Sequence, residues 1–196
     1  MNIFIDERDG ETYRTVQIGN QVWMAENLRY NCDGAVSPFI PKASGLIKTY
    51  GLLYFAHDFS YIAPKGWRVP TSKDWVELFW NVGGHRTDNI DNDCVYADAG
   101  KILKSENGWD IDEDFLCGCE PGEKTDPFGF SALPTGHIVN FAFKDLQKTT
   151  SFWAAGKTGN RRNRVVLYNF SNCAYIENVR NTELFACSFR CVRNLK

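Results

Sequence analysis

The sequence predicts an α+β chain folded as one domain, and three observations carry that prediction. A β-hairpin stands near the start, two helices follow, and the last third is a run of short strands separated by turns. With 196 residues, 43% hydrophobic and 14% aromatic, the chain has the length and composition for one sizeable core. Thr12–Ile18 alternates polar and apolar residues, Gly19-Asn20 marks a tight turn, and Gln21–Met24 returns. Residues 31–48 contain Gly, Pro and Ser and read as a long loop. Residues 50–55 read as a short strand running into a helical turn before Pro64.

The clearest helix starts at Thr71. Pro70 precedes it, Thr71 caps it, and Asp74 completes a capping box. Trp75, Leu78, Phe79 and Val82 then recur at helical spacing and present one apolar face to the core. Gly83-Gly84 ends the helix through the left-handed conformation that glycine tolerates. A weaker helix covers residues 97–104. From Phe128 the expected strands are FGFSALP, HIVNFAF, TSFWAA, RVVLYNF, CAYIENV and LFACSFRCVR. The chain shows no internal repeat and no low-complexity segment.

Composition excludes several function classes. Net charge of −2 and a pI near 5.9 argue against nucleic acid as a partner. No apolar run approaches membrane-spanning length, so membrane insertion is not expected. The residues after Met1 have neither a basic region nor an apolar core, so no signal peptide is visible. The seven cysteines cannot all pair within one chain, and buried, reduced thiols are the simplest reading. Cys187 and Cys191 fall four apart, on one face of one expected strand, where a disulfide between them has poor geometry.

No catalytic or metal-binding pattern emerges, and no cofactor is expected. The acidic runs at residues 88–98 and 110–114 read as solvated loops: the second has Phe115 where the sharp turn of a calcium loop needs Gly, and no bidentate glutamate follows. His57, His85 and His137 are scattered, and Cys117-Gly-Cys119 lacks zinc-knuckle spacing. There is no nucleophile elbow, phosphate loop or dinucleotide fingerprint. Trp23, Trp67, Trp109 and Trp153 sit in framework-like runs and read as core.

The last quarter of the chain is different. Between SFWAAG and ACSFRCVRN lies a stretch rich in Asn, Arg and Tyr. Its candidate ligand-binding residues are Asn160, Arg161, Arg162, Asn163, Arg164, Tyr168, Asn172, Tyr175, Asn178, Arg180 and Asn181, with Asn169 among them in sequence. Planar hydrogen-bonding groups beside flat aromatic faces are the chemistry of a contact surface.

Several blocks together resemble the Fibrobacter succinogenes major paralogous domain. They are DGETYRTVQIGNQVWMAENLRY, TYGLLYFAHDF, APKGWRVPTSKDWVEL, AGKILKSENGW, TDPFGFSALPTG, SFWAA and FACSFRCVRN, in family order from about Asp9 to Arg193. The GWRVPTSKDW and SFRCVR blocks are also similar to the formylglycine-generating branch of the C-type-lectin fold. The resemblance implies a C-type-lectin-like domain, with the hairpin and terminal strands in a small antiparallel sheet, two helices and long irregular loops. Two departures stand out. Where the family commonly has a cysteine before Lys-Gly-Trp the chain has Ala63, so a thiol that could pair with Cys191 is absent. The other is the loop after Cys32, which lacks the family's second nearby cysteine. In addition, the calcium-and-sugar motifs of C-type lectins are missing.

The expected function is a non-catalytic ligand-binding or adhesion module contacting a protein or glycan on a cell surface, with homo-oligomerisation left open. In the lectin-like fold the Asn-rich stretch resembles the variable region of diversity-generating-retroelement proteins, many of them phage receptor-binding proteins. The expected location is extracellular, on a cell surface or on a virion. A structural decoration or fibre component is one alternative. A copper oxidase of the formylglycine-generating type, using Cys187 and Cys191, is the other.

Overall fold

The computed structural model describes residues 2–32, 35–36, 44–55, 59, 61–87, 94–110, 124–180 and 184–195. In chain order the elements are β1 (Asn2–Ile5), β2 (Thr12–Ile18), β3 (Gln21–Met24), β4 (Ala35–Val36), α1 (Ser44–Tyr50), β5 (Leu53–Phe55) and α2 (Ser72–Asn81). There follow β6 (His85–Thr87), β7 (Cys94–Ala97), α3 (Ala99–Leu103), β8 (His137–Val139) and β9 (Ala142–Lys144). The last are β10 (Thr149–Thr158), β11 (Arg161–Tyr168), β12 (Ala174–Arg180), β13 (Phe185–Cys187) and β14 (Val192–Asn194).

These strands form three antiparallel sheets among the described residues, ordered β1-β2-β3-β14, β10-β11-β12-β7-β6 and β4-β5-β13-β8-β9. The predicted hairpin is β2–β3, and Gly19 at its turn has φ +58°, the left-handed conformation that glycine accepts without strain. β14, near the end of the chain, pairs with β3, so early and late strands share one sheet. All four residues of β3 are buried, because the sheet is covered on both faces. Trp23 faces α2, while Val22 and Met24 face a second cluster with Tyr54, Trp153 and Phe189.

Helix α2 forms as the sequence predicts. Thr71 Oγ accepts from the Asp74 N–H, and the Asp74 carboxylate accepts from the Thr71 N–H. Arg68 adds a two-pronged grip on the same carboxylate at 2.5 and 2.6 Å. Burial pushes the Asp74 carboxyl up, but Arg68 and Thr71 outweigh it and hold it below the usual carboxylate range. Trp75, Leu78 and Phe79 are fully buried against Phe152, Val165, Leu167 and Ile176 of the second sheet. Each such side chain contributes about 2 kcal/mol.

Several expectations need correction. Residues 44–48, read as loop, and Tyr50, read as strand, belong to α1: seven residues give too few turns for a helical period to show. Within the acidic run read as a solvated loop, Cys94–Ala97 is strand β7, because pairing with β12 buries Val95 and Tyr96. FGFSALP is not a strand. Asp126 and Ser131 adopt φ +37° and +53°, and the Asp126 carboxylate accepts from both the N–H and the hydroxyl of Ser131. Finally, LFACSFRCVR is two strands in two sheets. The chain leaves the third sheet after Cys187, bonds through Ser188 to Ser151 and Trp153, and joins the first sheet at Val192. Cys187 and Cys191 therefore do not share a strand. The second predicted helix is also shorter, five residues, opening on Asp98 at φ +62°.

One buried cation ties these parts together. The Arg190 guanidinium donates to Asn27 Oδ1 at 2.8 Å, to the Ser131 carbonyl at 2.7 Å and to the Phe130 carbonyl. It lies over the rings of Phe130 and Phe152. Burial pulls its pKa down to about 9, so it keeps its charge at neutral pH.

Candidate functional site

Strands β10, β11 and β12 form an antiparallel ribbon, and the side-chain period of two sorts the Asn/Arg/Tyr-rich residues onto its two faces. On the first face, Phe152, Ala154, Val165, Leu167, Ala174 and Ile176 pack against α2. Beyond them the same parity continues as Asn163 and Arg161 on β11, opposite Asn178 and Arg180 on β12. Asn163 Nδ2 donates to Ser72 Oγ at 2.7 Å, at the first turn of α2. Asn160 stands exposed in the connecting turn, and Arg161, Asn178 and Arg180 are exposed too. The apolar residues give way to amides and guanidiniums past Asn163.

The second face turns inward. Arg162 is 5% exposed and lies over the Phe59 ring, and Arg164 is 9% exposed and lies over Phe185. Arg164 Nε and Nη2 both donate to Glu177 Oε2, at 3.0 and 2.8 Å. Tyr168 donates its hydroxyl to Glu177 Oε1 at 2.8 Å. Burial first, then the Glu177 carboxylate, raises the Tyr168 pKa. The Tyr175 hydroxyl bonds Ser171 Oγ, and Asn169 is buried with its amide on the Asp110 carbonyl. Asn172 sits half-buried between β11 and β12.

The structure thus gathers Asn160, Arg161, Asn163, Asn178 and Arg180 at one end of the ribbon. It withdraws Arg162, Arg164, Tyr168 and Tyr175 into the other face as supports. Asn181 lies outside the described residues, as do His57, Cys117, Cys119 and most of both acidic runs.

Sequence reasoning missed Glu177, on which the inward face depends. The signal was present, since Glu177 is the single carboxylate between Asn160 and Arg180.

The chemistry of the inward face is quiet. Burial first, then the Arg164 charge, lowers the His137 pKa, which keeps the imidazole neutral at pH 7. Burial pushes both the Cys187 and Cys191 thiols up to about 12. Cys187 faces Arg164 and Glu177, whereas the charges nearest Cys191 are Arg8 and Asp6. A protonated thiol is a poor nucleophile and a poor metal ligand. Cys173, Cys187 and Cys191 are free thiols. Among the described residues no group of three His, Cys, Asp or Glu side chains could hold a metal ion, and no helix is long and apolar enough to cross a membrane.

A cleft of about 660 Å³ lies elsewhere, beside β1 and β2, and no ribbon residue lines it. Its buried cation is already engaged: Arg29 bonds Glu11 Oε2 at 2.8 Å and the Thr12 carbonyl, and approaches Glu26 at 3.7 Å. That network holds the hairpin together.

Residues 16–193 match the model of the Fibrobacter succinogenes major domain. The chain belongs to that family. No curated protein and no solved structure matches it. The match runs from β2 to β14, so in this Fibrobacter succinogenes major domain the ribbon, α2 and the shared sheet all fall within the family's span.

Proposed function

We propose that the protein is a non-catalytic ligand-binding or adhesion module of C-type-lectin-like build, whose contact face is the outward end of the β10–β11–β12 ribbon. The carrying observation is the directly opposed pair Arg161 and Arg180, both exposed and without an acidic partner among the described residues. Like charges directly opposite on neighbouring strands are destabilising, so the pair has a reason to be met by an external anion. Asn163 and Asn178, opposed on the same face, and Asn160 in the turn add amide donors and acceptors. Two guanidinium forks flanked by amides suit a carboxylate, sulfate or phosphate set among hydroxyls, as an acidic glycan carries them.

The sharing of one sheet by β2, β3 and β14 supports the lectin-like arrangement. Burial that holds both the Cys187 and Cys191 thiols protonated speaks against a copper site built from them. A cell-surface or virion location belongs with the adhesion reading.

An array of neutral and acidic glycans together with acidic peptides tests this, probed with wild type and the Arg161→Ala/Arg180→Ala variant. Retention on acidic glycans, lost in the double variant and weakened by salt, is the expected result. Binding that survives the double change moves the site elsewhere. Retention on acidic peptides alone replaces the glycan by a protein partner.

A further inference from the structure

Strand β1 is the outermost strand of its sheet, and among the described residues it pairs with β2 alone. The far edge of that sheet is blocked at Val192. There Arg68 and Val192 exchange main-chain hydrogen bonds in both directions, each at 2.9 Å.

The groups that β1 presents outward follow from its register. Ile3 stands opposite Arg14 and Ile5 opposite Thr12. The Arg14 N–H donates to Glu26 Oε2 and its carbonyl accepts from the Ala25 N–H, so the Arg14 main chain points away from β1. The Thr12 carbonyl likewise accepts from Arg29, and the Asp6 N–H donates to the Glu11 carbonyl. Ile3 and Ile5 are thus the positions not bonded to β2. Their N–H and C=O groups face the open edge. Their side chains are 71% and 58% exposed, while Phe4 turns the other way onto Tyr13 and Trp67. Asn2–Ile5 contains no charge and no proline, and its pairing with β2 runs without a bulge. Those are the devices by which edge strands normally refuse a partner.

We propose that β1 is a dimerisation strand that pairs antiparallel with β1 of a second copy. Outward positions must meet outward positions, so Ile3 lies opposite Ile5 of the second copy, and the two-fold axis passes between the two Phe4 residues. In this register every outward N–H and C=O of Ile3 and Ile5 finds a partner, and the isoleucines cluster on one face. An uncharged strand meets itself without like-charge repulsion, which a lone foreign peptide would not require of it. Because β1 meets β1 about a two-fold axis, the contact closes on itself and assembly stops at two copies. A strand this short buries less than the roughly 1,200 Å² at which standard interfaces begin, so the dimer is reversible and concentration-dependent. Each dimer would carry two ribbon faces, and a multivalent surface would hold it by avidity.

Sedimentation velocity over a range from low micromolar to near-millimolar protein tests the idea. Wild type shifts from monomer to dimer with nothing larger. Ile3→Pro removes one outward N–H and leaves the β2 ladder alone, and Ile5→Lys charges the edge. Each weakens the dimer by roughly tenfold or more, with circular dichroism confirming that the fold is retained. The register has its own test. Directly opposed residues of a bonded pair lie about 5.5 Å apart at Cα, within disulfide range. Mild oxidation therefore crosslinks the Ile3→Cys/Ile5→Cys variant between copies, and leaves Ile3→Cys alone at the wild-type level. A monomer at every concentration, a dimer indifferent to both edge variants, crosslinking of Ile3→Cys alone, or growth past two copies each overturns the proposal.

Discussion

Replacing Arg190 with methionine probes the fold at its most connected buried charge. Methionine keeps most of the stem's volume, so the cavity is small, but the guanidinium and all its hydrogen bonds go. Asn27 Oδ1 and the carbonyls of Phe130 and Ser131 lose their donor. An acceptor left unsatisfied in the interior costs roughly 1–3 kcal/mol, and loss of the stacking on Phe130 and Phe152 adds about 1 kcal/mol. Against this stands relief of a desolvated charge, whose pKa burial has already drawn down to about 9. That relief returns a few kcal/mol, as it does when buried ions are exchanged for apolar groups. The carbonyls cannot leave with the arginine, so the loss prevails, by about 3 kcal/mol. For a chain of this length that lowers Tm by roughly 6–12 °C. Thermal and guanidinium unfolding followed by circular dichroism measure it. Arg190→Lys, a point charge that cannot serve three separated acceptors, should recover less than half of the loss. A methionine variant as stable as wild type, or more stable, would refute the reasoning and make the buried charge a net burden.

Two further predictions follow from buried titratable groups. Lys104 is fully buried and donates to the carbonyls of Ser171 and Tyr168; burial, then nearby Lys124, lowers its pKa to about 8. Between pH 8 and its unfolded value of 10.5 the folded state has released a proton that the unfolded state keeps, so stability rises with pH in that window. The wild-type stability minus that of Lys104→Met should climb by about 3 kcal/mol across it, and a flat difference from pH-resolved urea titrations would sink the assignment. The thiols of Cys187 and Cys191 should resist iodoacetamide at pH 8 in the native protein and react on unfolding, whereas half-buried Cys173 reacts natively. Peptide mapping by mass spectrometry distinguishes them, and native labelling of Cys187 would contradict its burial.

What could be read from the sequence was local. The β2–β3 hairpin and α2 carry their own turn and cap chemistry within a few residues, and both stand where periodicity placed them. β1, α1 and β7 were illegible for a common reason: each is short and owes its form to partners outside its own few residues. β7 exists because β12 lies beside it, and α1 because Ile47 packs among Leu28, Tyr54 and their neighbours. The alternation through residues 185–192 was real, but alternation does not reveal that the hydrogen-bonding partner changes at Ser188. The same limit applied to the candidate site. Composition located the ribbon, and only the register with α2 on one face shows which arginines reach solvent.

That division has a consequence for how such a face could vary. Arg162 and Arg164 are the same residue type as the proposed contact positions Arg161 and Arg180, and with Tyr168 and Tyr175 they are interleaved with the outward residues, yet all four bear on Phe59, Phe185, Glu177 and Ser171. Removing Glu177 would strand the Arg164 guanidinium in the interior, a loss of roughly 3–5 kcal/mol. Changes at Asn160, Arg161, Asn178 or Arg180 disturb no packed partner and should stay within about 0.5 kcal/mol. A ribbon built this way separates its tasks by parity. One face anchors the strands so that the other can change its side chains without changing the fold, and a strand period of two is enough to keep them apart.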